Sequence, residues 1–344
     1  MTVDTHDVQR PRAIVVGATF GAVYAEALAG PQSPVELVGL LSTGSVASVD
    51  LAERLGIPLY TQLDNLPHVD VAFVVVRSGV VGGDGAQICA QLLSRGIHVL
   101  QEQPVHADEI VSLLHVAAEN SVLYAVNDFY SHVAPVRQFI SAAKALDSAT
   151  PLSYVHLRSS LHVVYPLFTI LAKIVGPLTP ARIVIPERTA GAFTAGRIVL
   201  GDVPVDLLVQ NELCASDPDN HARLMHTITV GAEAGELVLT HTHGSTRWHP
   251  RPHPATPASD YPICEVVGID FAPTAATVRN ELWPEAVRSA ATEFVNSIGR
   301  VRVVMSQRFI RATRLWSDFT SAMGPAMPID PRPPLALSAT DLAS

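Results

Sequence analysis

The sequence predicts an α/β fold: an N-terminal Rossmann doubly wound parallel sheet, followed by an α+β domain with an open, mostly antiparallel sheet. Three observations carry this. Over the first 130 residues short β-branched runs alternate with helical stretches, as expected of strands buried on both faces by crossover helices. The first run ends in a glycine turn that opens a helix. Beyond Asn127 the alternation gives way to period-two segments, in which one face of a strand meets the core and the other does not.

In the first half, strands are expected at residues 13–16, 35–41, 69–76, 98–100 and 122–126, with helices at 22–29, 46–55, 85–95 and 108–120. Each strand-to-helix step is short, as right-handed βαβ units require, and Asp84 stands where the third helix needs an N-cap. A helix over 135–145 has Pro135 in its first turn, and a strand follows at 152–159. The apolar stretch 162–175 reads as a helix that stops at Gly176 and Pro177. Residues 181–239 alternate at period two, with a hairpin turn at Ala234-Gly235. Five prolines between 246 and 262 predict a long surface loop, and helices follow at 284–297 and 309–323. The proline-rich end from Pro325 reads as a loose tail or an arm onto a partner. The expected division is 1–130 for the Rossmann domain and 131–344 for a substrate-binding and dimerisation domain.

Composition narrows the function. Of 344 residues, 48% are hydrophobic and 16% charged, and 23 basic against 32 acidic residues leave a net charge of −9. Lys144 and Lys173 are the only lysines, so no polybasic run exists to bind nucleic acid or a membrane surface. The three cysteines, Cys89, Cys214 and Cys264, are far apart and read as reduced thiols of a cytoplasmic protein. The N-terminus lacks the cationic start and apolar stretch of a signal peptide, and every apolar run breaks before the roughly 18 residues of a membrane span. The apolar surplus then needs destinations: the parallel strands, an apolar substrate pocket, and a sheet face covered by a second subunit in a homodimer.

The glycine turn is Gly17-Ala18-Thr19-Phe20-Gly21-Ala22. Dinucleotide folds place G-x-G-x-x-G/A here, for a tight turn, close approach to pyrophosphate and helix packing. Gly17 and Ala22 fit, Thr19 replaces the middle glycine, and Phe20 and Gly21 complete the turn. NAD-binding versions carry an acidic residue after the second strand to hold the ribose 2′-hydroxyl. Ser42-Thr43-Gly44-Ser45 stands there instead, so Ser42, Thr43 and Ser45 are read as contacts to a 2′-phosphate, and NADPH as the cofactor.

Three more stretches lie at strand carboxyl ends, where ligands of open α/β sheets bind: Arg77-Ser78, Glu102-Gln103 with His106, and Asn127 with Tyr130. Arg77, Ser78, Glu102 and Gln103 are expected against the cofactor. His106 and Asn127, with His162 and Tyr165 on the next apolar helix, are expected against substrate. Tyr130 is the candidate acid, since a phenol can donate a proton to nitrogen while hydride arrives; its plainer reading is a half-buried tyrosine bonded to backbone. Tyr165 and Phe168 are candidate walls of an apolar pocket, against a plain role in the core. No nucleophile motif of the G-x-S-x-G kind exists. His241, His243, His249 and His253 are the one histidine grouping with metal-ligand character, but no cysteine or acid has matching spacing, and no metal is expected.

In element order, and in Gly17–Gly21, Val74–Ser78, His98–His106, Asn127–Tyr130 and Leu282–Ala286, the chain resembles the family named for glucose-fructose oxidoreductase and inositol dehydrogenase. Within it, these segments are most similar to the thiazolinyl imine reductases of yersiniabactin- and pyochelin-type siderophore assembly. The resemblance implies NADPH-dependent reduction of a thiazoline C=N to a thiazolidine, on an intermediate tethered to a carrier-protein domain of a non-ribosomal peptide synthetase. The wider family ends the strand before its active site in Glu-Lys-Pro; here Gln103 replaces the lysine, which leaves Tyr130 as acid and Gln103 as an orienting catalytic residue. Sugar-oxidising members carry Asp-x-x-x-His where this chain has Arg158-Ser159-Ser160-Leu161-His162. The missing aspartate weighs against the alternative of a sugar or polyol dehydrogenase; a non-catalytic dinucleotide-binding regulator is the third reading. Because carrier domains are acidic, Arg300, Arg302, Arg308, Arg311 and Arg314 are the expected docking surface.

Overall fold

Four of the five residues of β1 (Arg12–Val16) are buried, because helices cover both faces of the sheet at whose centre it lies. The computed structural model describes residues 10–79, 82–186, 191–217, 221–252, 262–300 and 306–343 except 332, 334 and 336. Its first sheet adds β2 (Glu36–Leu41), β3 (Leu59–Tyr60), β4 (Val71–Val74), β5 (His98–Glu102) and β6 (Tyr124–Asn127), in the order β3-β2-β1-β4-β5-β6. Every pairing is parallel. The connecting helices are α1 (Gly21–Ala29), α2 (Val46–Leu55), α3 (Gly85–Leu93) and α4 (Ala107–Glu119). The direction of winding reverses between β1 and β4, which opens a crevice at their carboxyl ends.

The caps differ from expectation. Asp84 makes no capping bond to α3: its backbone lies at φ −95°, ψ 12°, outside the extended region from which an N-cap side chain reaches back. Ser45 and His106 sit in extended backbone and do cap, α2 and α4 respectively.

The second sheet is built from α5 (Ala134–Ala149), β7 (Leu152–Ser160), α6 (Val164–Ile174), β8 (Ala181–Val184), β9 (Phe193–Leu200), β10 (Val203–Gln210), β11 (Glu212–Leu213), β12 (Thr227–Ala232), β13 (Gly235–Leu239), β14 (Thr246–Pro250) and β15 (Glu265–Val266). All but β11 form the order β15-β14-β13-β12-β7-β10-β9-β8, antiparallel except for β7 beside β10. The expected loop over 246–262 is thus a strand at its start: β14 pairs with β13, Thr246 and Pro250 are buried, and Pro250 ends the strand. The carboxy-terminal tail is tied down where β16 (Met327–Pro328) pairs with β11.

Every residue of α6 except Lys173 is buried. The helix lies in the second core with Val155, Leu157, Ile198, Ile228 and Phe319, each such side chain contributing about 1.5–3 kcal/mol. Towards the end of the chain the described residues add α7 (Ala275–Thr277), α8 (Trp283–Ser297), α9 (Gln307–Met323) and α10 (Ala339–Leu342). From α8, Ala286, Val287, Ala290, Ala291 and Phe294 complete the core of the first sheet, so the end of the chain fastens the two sheets together. The outer face of the second sheet exposes His156, Arg158, Arg197 and Leu208. Among the described residues no helix is long and apolar enough to cross a membrane.

Candidate active site

The crevice beside β1 is shaped by Gly17. Its φ is +99°, a Cβ there would lie 2.5 Å from the carbonyl oxygen of Val75, and its N–H donates to Leu41 O at 2.9 Å. Only glycine fits. The helix that follows has Phe20 at its N-cap in helical backbone, with no side chain bonded to the first turn. Ala22 N–H and Val23 N–H donate to the carbonyls of Thr19 and Phe20, at 3.4 and 3.0 Å, which leaves the N–H of Gly21 for an anion, and Thr19 is exposed beside it. An uncapped helix start above a turn that a Cβ would fill is what a dinucleotide pyrophosphate requires.

After β2 no carboxylate follows, and Ser42 and Thr43 keep their place at the strand end. Ser45 is committed elsewhere: its Oγ accepts from Ser48 N–H at 3.3 Å as the cap of α2. Arg77 is exposed after β4. Ser78 is 1% exposed and donates to Pro104 O at 2.5 Å, so its hydroxyl fastens the β4 loop to the β5 loop and is not offered to a cofactor.

Under the crevice, Glu102, Asn127 and Tyr24 form a buried network. Tyr24 Oη donates to Glu102 Oε2, and Asn127 Nδ2 donates to Tyr24 Oη at 2.5 Å and to Glu102 Oε2 at 3.2 Å. Burial pushes the Glu102 carboxyl up to about 8, which the bonds from Tyr24 and Asn127 offset only in part. Asn127 Oδ1 and Gln103 Oε1 are shut from solvent with no hydrogen-bond partner. Two orphaned acceptors at the ends of β5 and β6 are what a carboxamide N–H would satisfy, and the crevice fits a nicotinamide dinucleotide.

Tyr130 lies on the turn Phe129–His132, half-buried. Its ring is held edge-on by Phe129, at 5.3 Å and 82°, and by His226, at 5.2 Å and 85°. Its hydroxyl bonds to no described group, unlike a tyrosine kept for structure. Burial, with the nearby Glu102, holds the phenol well above its ordinary range, so it stays protonated.

Two side chains from distant segments build this wall. His226 is fully buried; Thr242 Oγ1 donates to its Nδ1 at 3.1 Å and its Nε2–H donates to Val163 O at 2.6 Å. Burial takes its pKa down to about 4, so it is a neutral, fixed ring. Lys173 reaches Asp128 at 2.7 Å. Burial alone would raise Asp128, but Lys173 and His132 outweigh it and hold the carboxylate well below its usual range. Neither His226 nor Lys173 was legible as a site residue, since topology alone brings them here.

Phe20 meets Phe129 at 5.3 Å and Trp283 at 5.7 Å. Past Trp283 a cavity of about 550 Å³ is lined by His241, His243, Phe271, Val278, Arg279 and Trp283, among others. His241 and His243 are on the turn between β13 and β14. Among the described residues no group of three or more side chains could hold a metal ion; His253, like Arg302, lies outside the described residues.

Several expected substrate contacts are engaged elsewhere. His106 accepts from Asp108 N–H through Nδ1 at 3.3 Å and bonds Ser317 Oγ through Nε2 at 3.2 Å, which uses both ring nitrogens. Tyr165, 3% exposed, donates to Val105 O at 3.2 Å and lies 3.3 Å from Thr313 Oγ1. It and Phe168 belong to the core, because the whole of α6 is wrapped. His162 has both ring nitrogens shut from solvent. Arg308 donates to the carbonyls of Ala172, Val175 and Gly176 and closes the end of α6, so it is not part of a docking face.

Residues 12–128 match the family model described as oxidoreductase family, NAD-binding Rossmann fold. The match spans the whole first sheet, β1 to β6. Residues 150–249 match a second model, described as thiazolinyl imine reductase Irp3-like, C-terminal. No curated protein matches the chain. Among solved structures it is similar to a dehydrogenase from Chromobacterium violaceum, with TM-score 0.68, 12% identity, and 92% of this chain and 96% of that one covered. UDP-N-acetylglucosamine 3-dehydrogenase GnnA from Acidithiobacillus ferrooxidans gives 0.66 and 14%, covering 91% and 97%. GenD2 from gentamicin A biosynthesis, in complex with NAD, gives 0.64 and 17%, covering 93% and 95%. At these identities the likeness is one of fold.

Proposed function

We propose that the protein is an NADPH-dependent imine reductase that converts a thiazoline C=N to a thiazolidine, on an intermediate carried by a carrier-protein domain of a non-ribosomal peptide synthetase. The observation that carries this reading is Tyr130: a half-buried phenol with an unbonded hydroxyl, beside the orphaned acceptors of the cofactor crevice. The match of residues 150–249 to the imine reductase model supports it. So does Gln103, since a side chain without a titratable group suits a reaction that removes no proton from an alcohol.

Gly17, Thr19, Phe20 and Gly21 would hold the pyrophosphate, Ser42, Thr43 and Arg77 the adenosine end, and Gln103 and Asn127 the carboxamide. NADPH, when bound, supplies the hydride. Tyr130 donates the proton that the ring nitrogen needs as it gains charge, with the ring locked between Phe129 and His226. Glu102 and Asp128 hold the loop that carries Tyr130. The apolar cavity beyond Trp283 takes the body of the substrate, the outer face of the second sheet pairs two copies, and Arg300, Arg311 and Arg314 receive the acidic carrier.

The test is incubation with carrier-bound thiazoline and NADPH, followed by mass spectrometry of the product. A gain of two mass units over the control is expected. No gain, with turnover on a polyol panel, assigns the protein to sugar or polyol oxidation; tight NADPH binding with no turnover on either makes it a regulator.

A further inference from the structure

The cavity beyond Trp283 is unusual in its hydrogen-bonding chemistry. Trp283 Nε1–H donates to His243 Nε2 at 3.1 Å, and the backbone N–H of His243 donates to His241 Nδ1 at 3.2 Å. Each imidazole thus has one nitrogen fixed as an acceptor. Burial, and then the neighbouring histidines, take His243 down to about 4, and burial lowers His241. Both rings are neutral near pH 7, so His243 carries its proton on Nδ1 and His241 on Nε2.

Arg279 completes the set. It is exposed on the π-helical turn Val278–Leu282, which separates α7 from α8 and aims it at the cavity. No hydrogen bond or ion pair engages it among the described residues. The side chains at this site therefore present a guanidinium and two imidazole N–H donors with no carboxylate or amide to receive them. Phe271, Pro273, Val278 and Trp283 make the rest of the wall apolar.

We propose that this cavity binds an oxyanion on an apolar body, with Arg279 as the anchoring residue and His241 and His243 as neutral donors. A guanidinium grips carboxylate and phosphate alike, so two sources share the chemistry: a carboxylate on the substrate, or the phosphodiester of the arm that tethers it. The site rests on the imine reductase reading for its role in catalysis, but not for binding. In the reaction Arg279 sets the depth to which the substrate enters.

Isothermal titration calorimetry separates the two claims, because it needs no turnover. The intact protein is titrated with benzoate, phenyl phosphate and neutral benzyl alcohol, in the presence of NADPH. The anions are expected to bind at least about tenfold more tightly than the alcohol, and Arg279→Met to weaken them by about ten- to a hundredfold. Arg279→Lys recovers part of the loss, and both variants keep NADPH affinity, which also reports that they fold. Tighter phenyl phosphate assigns the cavity to the tethering arm, and tighter benzoate to the substrate's own carboxylate. Equal binding of the alcohol overturns the proposal, as does a loss of NADPH affinity in Arg279→Met with probe binding unchanged, which would give the arginine to the cofactor. Anion binding with no imine reduction keeps this site and removes the reductase reading.

Discussion

Glu102→Gln should flatten a slope in the stability of this protein against pH. Glu102 is buried beneath the crevice, its Oε2 accepting from Tyr24 Oη and, at 3.2 Å, from Asn127 Nδ2. Burial, with a smaller contribution from Asp128, raises its pKa to about 8 from an ordinary value of 4.5. A carboxyl raised on folding binds the extra proton in the native state, so its stabilisation is complete below the unfolded pKa and is lost as pH rises through the folded one. Between those limits the loss runs at about 1.4 kcal/mol per pH unit. Over the whole window it reaches about 5 kcal/mol, a large share of the roughly 5–15 kcal/mol that holds a domain together. Glutamine keeps the shape and an acceptor oxygen but does not titrate. The assay is urea unfolding of both proteins from about pH 5.5 to about pH 8.5, read as a difference so that every other group cancels. The wild type should lose ground to the variant up to about pH 8 and run parallel above it. A difference constant across the range refutes a neutral Glu102.

Other outcomes are expected. Tyr130→Phe lowers turnover about a hundredfold or more without changing the NADPH dissociation constant; an unchanged rate would pass protonation to solvent. Gly17→Ala, which forces a Cβ to 2.5 Å from Val75 O at a φ of +99°, costs about 1–3 kcal/mol by thermal unfolding and weakens NADPH in a fluorescence titration. Arg308→Met removes the bonds to three carbonyls at the end of α6 and destabilises by about 2 kcal/mol, with no preference between carrier-bound and free substrate. Arg311→Glu with Arg314→Glu should do the reverse, raising KM for carrier-bound substrate alone, and equal loss on a free analogue would reject docking there.

The parallel half of the fold was legible because each of its units is local: an apolar run, a short turn, then a helix, with Gly17 marking the first. The second half was less so where partners are remote. Thr246–Pro250 lies among five prolines and becomes a strand only because β13 offers its edge. Met327–Pro328 is held by β11, more than a hundred residues earlier. At the candidate site, Tyr130, Gln103 and the glycine turn stand out as candidates in the sequence, since strand ends are where ligands bind; Asn127, expected against substrate, instead lies in the network with Tyr24 and Glu102. Ser78, His106 and Tyr165 carry the right side chains at plausible places, but their hydrogen bonds go to protein. Sequence position places a polar atom near a site, whereas only the packing says whether it is still free.

The same distinction governs charge. Glu102 and Asp128 end neighbouring strands and feel one another's charge, yet one is held neutral and the other ionised. Both are buried, so burial pushes both upward; the difference is Lys173, 2.7 Å from Asp128, one of two lysines in the chain. Without that contact Asp128 would keep only His132 to set against its burial. With it, Asp128 is a fixed anion turned toward Lys173 and His132, and Glu102 is a neutral group beneath the crevice. In the proposed reduction the dinucleotide would be left with a positive ring while the nitrogen gains negative charge; a neutral Glu102 favours neither, which would leave the nitrogen to Tyr130. A sparsely charged protein has thus placed one of its few cations where it decides the ionisation of a buried acid.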